Sequence, residues 1–168
     1  MQTSRKYNTS HLKNSTPPIA LTIAGSDSGG GAGMQADLRT FAAFGVHGVC
    51  AITAITAQNT REVTAIHALP RAMLRAQLDA VFTDFHLGAI KIGMLASAGL
   101  TSEVATVLAR HPRIPVVLDP VLIATTGAQL ATDDLAPALR KHLLARADLL
   151  TPNIPEAERL LDLSITGT

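Results

Sequence analysis

Three stretches of this sequence carry side chains of the kinds that bind small polar molecules: Gly25 to Asp37, Gln58 with Asn59, and the oxygen donors Asp119, Asn153 and Glu156. The first holds five glycines within the nine residues from Gly25 to Gly33, followed by an apolar i, i+4, i+7 stripe of Met34, Leu38 and Phe41. A strand, a glycine run and a helix N-terminus together offer unpaired backbone N–H groups and a positive dipole end, which invites a phosphate-loop reading. Two named phosphate motifs fail. Gly25 to Gly30 has Walker A spacing, but Gly31 and Ala32 stand where Lys and then Ser or Thr are needed, and GxGxxG is met in no register. What remains is a loop whose backbone can approach a ligand closely, because so many glycines are costly in backbone entropy unless required.

Asp37 lies three residues after Met34 and four before Phe41, so its carboxylate shares or borders the inward helix face and needs a partner there. It reads as a ligand-binding group beside the glycine loop, or as a structural acid serving the helix dipole or a salt bridge. Gln58 leaves a strand at its carboxyl edge, with Cys50, Ile52, Ala54 and Thr56 on its face by strict alternation. Its carboxamide matches the donor and acceptor edge of an aminopyrimidine or amide ligand; the plainer alternative is a satisfied loop amide. Asp119 and the TPNIPE stretch from Thr151 to Glu156 form an oxygen set suited to Mg2+, which keeps several waters beside one or two carboxylates and substrate phosphates. Glu156 after Pro155 is equally a common first-turn acid. Lys91 lies in a strand next to these groups, and a packed lysine with a solvated head is its simpler reading. Cys50 has no activating neighbour, Ser26 lacks the GxSxG context, and the histidines have no ligand spacing, so thiol, triad and zinc chemistry are not expected.

The elements that must position these groups alternate along the chain. Strands are expected at 19–24, 49–57, 89–92, 116–118 and 148–150, and helices near 32–43, 71–84, 98–109, 133–146 and 156–161, with a brief extended piece at 63–66. Such alternation predicts a largely parallel sheet with right-handed crossovers and helices on both faces. Ligands of such sheets collect beyond the carboxyl ends of the strands, which is where the residues named above fall.

Length and composition narrow the class further. The 168 residues, 47% of them apolar, suit one domain with a sizeable core. A net charge of +1, only 16% charged residues and no Trp argue against a nucleic-acid or polybasic membrane surface. The charge-free run from Thr40 to Thr60 contains two glycines, a histidine and several polar residues, so it is no transmembrane helix. Residues 1–17 are polar and lack an apolar signal core, so a disordered N-terminal extension and a reducing cytoplasmic location are expected. The composition leaves a homodimer open. Thr166 to Thr168 follow a helix with no returning strand, which predicts an unpaired sheet edge or an uncovered helix face.

Taken in order, the strings ALTIAGSDSGGGAGMQADLRTF, ITAQNT, KIGML, VVLDPV and LLTPNIPEAERLL resemble the hydroxymethylpyrimidine/phosphomethylpyrimidine kinases of thiamine biosynthesis. The DPV and TPNxxE pieces are shared with pyridoxal kinases and mark only the ribokinase-like superfamily; AGSDSGGGAGMQAD with AQNT is the specific part. The resemblance implies a ribokinase-like α/β fold, C-terminally incomplete, with 18–168 as the N-terminal part of a single kinase domain. It also implies phosphoryl transfer from ATP with Mg2+ to 4-amino-5-hydroxymethyl-2-methylpyrimidine and then to its monophosphate. By the same resemblance Asp37 and Gln58 hold the aminopyrimidine, and Ala32 lies in the loop that approaches it. Met94 and Val121 touch the ring, while Asn153 and Glu156, with Asp119, stand near the metal and phosphates. Family members carry a later GTG segment that supplies the anion hole and a catalytic Cys or Asp. That segment is not in this sequence, so the catalytic residue is unassigned and pyrimidine or metal binding without ATP turnover is expected. A pyridoxal kinase-like enzyme and a noncatalytic pyrimidine-binding module are the alternatives.

Overall fold

A computed structural model describes residues 16–122 and 132–166. All but the last two positions of the expected N-terminal extension lie outside the described residues. In chain order the elements are β1 (Ile19–Asp27), α1 (Gly33–Ala43), β2 (His47–Gln58), β3 (Val63–Ala68), α2 (Arg71–Asp84), β4 (Ala89–Ile92), α3 (Ala98–Leu108), β5 (Val116–Leu118), α4 (Leu135–His142), β6 (Leu149–Leu150) and α5 (Ile154–Leu161). They build one six-stranded sheet in the order β3-β2-β1-β4-β5-β6. Every neighbouring pair is parallel except β2 with β3. The short extended piece is thus an antiparallel edge strand, turned back on β2 where the Asn59 side chain accepts from the N–H groups of Arg61 and Glu62.

This strand order dictates where the helices lie. From β1 the chain crosses one way to β2 through α1; later crossovers step the other way, from β3 over to β4, then β5, then β6. Because crossovers are right-handed, α1 lies on one face and α2, α3 and α4 on the other. The core fills the second face. Leu21 and Ile23 of β1, Ile90 and Ile92 of β4, and Val116 and Leu118 of β5 meet Leu74 and Leu78 of α2, Leu100, Val104 and Leu108 of α3, and Leu135 and Leu139 of α4, all nearly inaccessible to water. On the first face α1 lies mainly against β1 and β2. Gly48 lets it come close: a Cβ there would stand 2.6 Å from Leu38 and 3.0 Å from Phe41. The expected covering of both faces is therefore unequal, and Leu149 of the two-residue edge strand β6 is 56% exposed.

Two local expectations need correction. The helix expected over 133–146 breaks after His142, and Leu144–Arg146 form a separate 3-10 turn. Leu143, buried at the break, leaves helical geometry with φ −122°, and the Arg146 guanidinium donates to the carbonyls of His111 and Ile114. Those tertiary contacts outweigh helix propensity. The second correction concerns β2. Its partners on β1 run Ala24 to Ile52 and then Ser26 to Ile55, so β2 carries one extra residue in a bulge. Beyond the bulge the alternation is reversed: Thr56 and Gln58 share a face with each other but not with Cys50 and Ile52.

Candidate active site

The sheet order reverses direction at β1, whose two neighbours β2 and β4 are reached by crossovers on opposite faces, and the crevice outside such a switch point is the default ligand site of open α/β sheets. A cavity of about 470 Å³ opens there. It is lined by all eight residues singled out from the sequence: Ala32, Asp37, Gln58, Met94, Asp119, Val121, Asn153 and Glu156. Each is brought to the rim by its own element: Gln58 closes β2, Met94 follows β4, Asp119 and Val121 follow β5, and Asn153 precedes α5. Since neighbouring strands are about 4.8 Å apart, four strand intervals separate Gln58 from Asn153 by roughly 19 Å. The cavity therefore extends along the sheet edge, from Gln58 at β2 to Asp119, Asn153 and Glu156 beyond β5 and β6.

The glycine loop is shaped by Asp27, which the sequence reading passed over. Its side chain is buried, and its two carboxylate oxygens accept from the N–H groups of Gly29 and Ala32, each at 2.8 Å. The Gly30 N–H bonds to the Asp27 carbonyl. These loop donors are turned inward onto one carboxylate, which removes the anion-cradle reading for them. Gln35 locks the turn from the helix side, accepting from the Asp27 N–H and donating to the Ser26 hydroxyl. Gly33 opens α1 at φ +58°, and a Cβ there would run into the Gly25 carbonyl, so only glycine suits this position. The N–H and carbonyl of Ala32 are both bonded, to Asp27 and Ala36, which leaves its methyl and backbone surface to face the cavity.

Asp37 is a hub. Its Oδ2 accepts from the Thr22 hydroxyl at 2.6 Å and from Lys91 Nζ at 3.2 Å. Lys91 also stands 3.7 Å from Asp119. The solvated lysine expected from sequence is thus a cavity residue balancing two carboxylates, because the Lys91 stem leaves β4 on the same face as α1 and curls toward the rim. Burial pushes the Asp119 carboxyl above its ordinary range; Lys91 opposes this and Asp37 adds to it. Burial likewise raises Glu156, helped by Asp119 and opposed by hydrogen bonds from the Asn153 and Leu122 backbones. Two carboxyls raised chiefly by burial in a shared cleft, with Asp119 adding to the rise of Glu156, are a seat for positive charge.

Asn153 and Glu156 close a capping box at the start of α5: the Asn153 side chain accepts from the Glu156 N–H at 2.9 Å, and Glu156 Oε2 accepts from the Asn153 N–H at 3.0 Å. Both the structural and the site readings of Glu156 therefore apply to one residue, since a carboxylate has about four lone-pair positions and keeps acceptor capacity toward the cavity. Cys50 points away from the cavity, and burial pushes its thiol up, so it is no nucleophile. Ser26, Thr56 and Thr151 also line the cavity. Sequence reading set Thr151 in the oxygen-bearing stretch and Thr56 on the strand face of Gln58, but gave neither Thr56 nor Ser26 a role in the site.

The fold is ribokinase-like. The solved phosphomethylpyrimidine kinase of Clostridium difficile 630 superposes with a TM-score of 0.82 at 44% identity, covering 89% of this chain and 65% of that one. A Staphylococcus aureus pyridoxal kinase solved with AMP-PCP and pyridoxal superposes with a TM-score of 0.79 at 32% identity, covering 92% of this chain and 55% of that one. The sequence model of the family described as Phosphomethylpyrimidine kinase matches residues 27–168, and the chain belongs to that family. The hydroxymethylpyrimidine/phosphomethylpyrimidine kinase of Haemophilus influenzae is 54% identical over 145 residues, which are 86% of this chain and 54% of that protein. Its Escherichia coli counterpart is 48% identical over 143 residues, again 54% of that protein. The chain thus spans about half the length of the curated relatives it matches. Among the described residues no helix is long and apolar enough to cross a membrane.

Proposed function

We propose that residues 18–168 form the pyrimidine-binding part of a kinase domain that phosphorylates 4-amino-5-hydroxymethyl-2-methylpyrimidine, and then its monophosphate, at the expense of ATP. The observation that carries this reading is the make-up of the cleft: Gln58, Met94 and the Asp37–Lys91 pair toward the β2 to β4 end, and Asp119, Asn153 and Glu156 at the β5 to β6 end. Gln58 holds the amino edge of the ring, Met94 and Val121 pack on its faces, and Ala32 and Asp37 bound the slot from α1. The hydroxymethyl arm then points along the cleft toward Asp119 and Glu156. Lys91 sits between the two ends, where it can meet a phosphate oxygen while keeping Asp37 paired.

The acidic end fits a hydrated Mg2+ better than a protein cage. Among the described residues no three His, Cys, Asp or Glu side chains converge as ligands, yet burial raises both the Asp119 and the Glu156 carboxyl. That is the donor set of an ion that takes one or two carboxylates and completes its shell with water and phosphates. When bound, such an ion neutralises phosphate charge during transfer. Asn153 supports the site by fixing Glu156 through the capping box. A lone cysteine and the absence of any paired thiol suit a reducing cytoplasm.

Calorimetric titration of the chain tests the reading. Binding of the hydroxymethylpyrimidine is expected, stronger than binding of pyridoxal, and Gln58→Ala should weaken it by about 1–3 kcal/mol through loss of a buried polar partner. No heat and no thermal shift at millimolar pyrimidine would refute the proposal. Preference for pyridoxal would favour the pyridoxal kinase reading, whose structural relatives are more distant in sequence at 32% identity.

A further inference from the structure

The Thr56 hydroxyl lies 3.0 Å from the Ser26 carbonyl oxygen and 3.1 Å from Gln58 Oε1. Thr56 is buried, so both contacts are made out of water. A hydroxyl has one hydrogen to donate and can accept as well. The Ser26 carbonyl can only accept, so the Thr56 hydrogen belongs to it. With Gln58 Oε1 facing Thr56, two acceptors compete for that hydrogen and one oxygen pair is left in unshared contact. Turning the amide over makes both contacts good: Thr56 donates to Ser26, and the Gln58 Nε2 donates to Thr56. Oxygen and nitrogen of a carboxamide are told apart by the groups they meet, and here the neighbours decide. Gln35, on the other side of the loop, shows the same discipline, with its nitrogen on the Ser26 hydroxyl and its oxygen on the Asp27 N–H.

We propose that Thr56 is a specificity-determining residue, which anchors the Gln58 amide by its nitrogen and so presents the Gln58 oxygen to the cavity, selecting ligands that offer an N–H donor over those that offer a carbonyl. The inference rests on the pyrimidine reading for the identity of the ligand but not for the orientation of the amide. Backbone geometry supports it: the β2 bulge puts Thr56 and Gln58 on one face, and the Ser28 hydroxyl clamps the Gln58 backbone by accepting from its N–H and donating to its carbonyl, both at 2.8 Å. With its main chain held and one end of its amide engaged, Gln58 has a single group left to aim.

Two measurements on the full chain test this. In the ligand-free protein, the Gln58 side-chain amide protons should exchange with solvent more slowly in wild type and Thr56→Ser than in Thr56→Val. Equal exchange in wild type and Thr56→Val would overturn the assignment. In titrations, wild type and Thr56→Ser should prefer the 4-amino pyrimidine over its 4-oxo counterpart by about tenfold or more, as expected for one matched against one mismatched buried hydrogen bond. In Thr56→Val the amide can turn either end to the ligand, and the two should bind within about twofold. A Thr56→Val variant that loses affinity for both ligands equally while keeping the preference would show a merely structural threonine and overturn the proposal. If wild type binds neither pyrimidine yet the exchange difference is present, the pyrimidine reading falls and the amide orientation stands.

Discussion

Asp27 gives the sharpest test of how the glycine loop is held. Its buried carboxylate accepts two backbone N–H bonds, from Gly29 and Ala32, at 2.8 Å each. Hydrogen bonds to a charged group are worth about 1.5–3 kcal/mol each, against about 0.5–1.5 for neutral pairs. Asp27→Asn removes one acceptor outright, sets an N–H against an N–H, and reduces the surviving bond to a neutral one. The sum is a loss of about 2.5–4 kcal/mol, a large share of the roughly 5–15 kcal/mol that stabilises a typical domain. For a chain of this size the melting temperature should fall by roughly 5–15 °C. Urea unfolding followed by circular dichroism gives the free energy, and hydrogen exchange at the Gly29 and Ala32 amides locates it. Asp84→Asn, exposed at the end of α2, serves as the control and should change stability by less than about 0.5 kcal/mol. If Asp27→Asn is as mild as the control, and both loop amides stay protected, the loop is held by something other than this carboxylate.

Leu78 of α2 is completely buried in the core between the sheet and α3; Leu78→Ala should cost about 2–5 kcal/mol in urea unfolding, without changing the slope. The raised carboxyls predict a pH effect. For a group whose folded pKa exceeds the unfolded one, its contribution to stability is fully present below the unfolded pKa and is lost as pH rises through the folded pKa. Asp119→Asn removes that loss, so the variant should melt higher than wild type at neutral pH, with the gap closing below about pH 3, where the carboxyl is protonated in both states. Thermal melts across that range check it; a gap that is constant with pH would mean that the fold does not raise the Asp119 carboxyl.

How far the sequence alone could reach depends on whether a signal is periodic or combinatorial. Leu21, Ile23, Ile90 and Ile92 belong to short apolar runs bounded by polar residues, and α2 follows the 3.6-residue pattern to its observed ends. Such elements are set by local burial and are readable. Rim residues such as Gln58, Asp119 and Asn153 were readable for a different reason: parallel strands deliver their carboxyl ends to one edge, so whatever polar residue follows a strand is a candidate. Lys91 was not, because its role depends on a partner far along the chain, whereas the partners of Asp27 are close in sequence but are backbone N–H groups, which no residue type announces. Nothing near Lys91 in sequence announces Asp37, which is 54 residues distant. The face of Gln58 was misjudged because one extra residue in β2 inverts the alternation, and a bulge leaves no mark in the hydrophobic pattern.

The hydrogen-bond inventory of the cleft explains why a site spread over five strands can be precise. The Asp27 oxygens are taken by the loop, Asn153 by α5, Gln35 by the turn, and one side of Asp37 by Thr22 and Lys91. Each of these groups is immobilised by the fold, and their strength is directed inward. Groups lining the cavity that keep capacity to bind include the Gln58 amide, Asp119, Glu156 and the Lys91 ammonium, with Asp37 beside Lys91. A ligand lying along the cleft therefore meets a carboxamide toward β2, the Asp37–Lys91 pair at the middle and carboxylates toward α5, with the small and apolar surfaces of Ala32, Met94 and Val121 among them. Such a distribution discriminates by the position of a ligand's polar groups along its length. Under the proposed function, a ring bearing an amino group at one edge and an arm that acquires phosphate charge at the other would match it, whereas a ligand with either feature reversed would leave a buried partner unpaired.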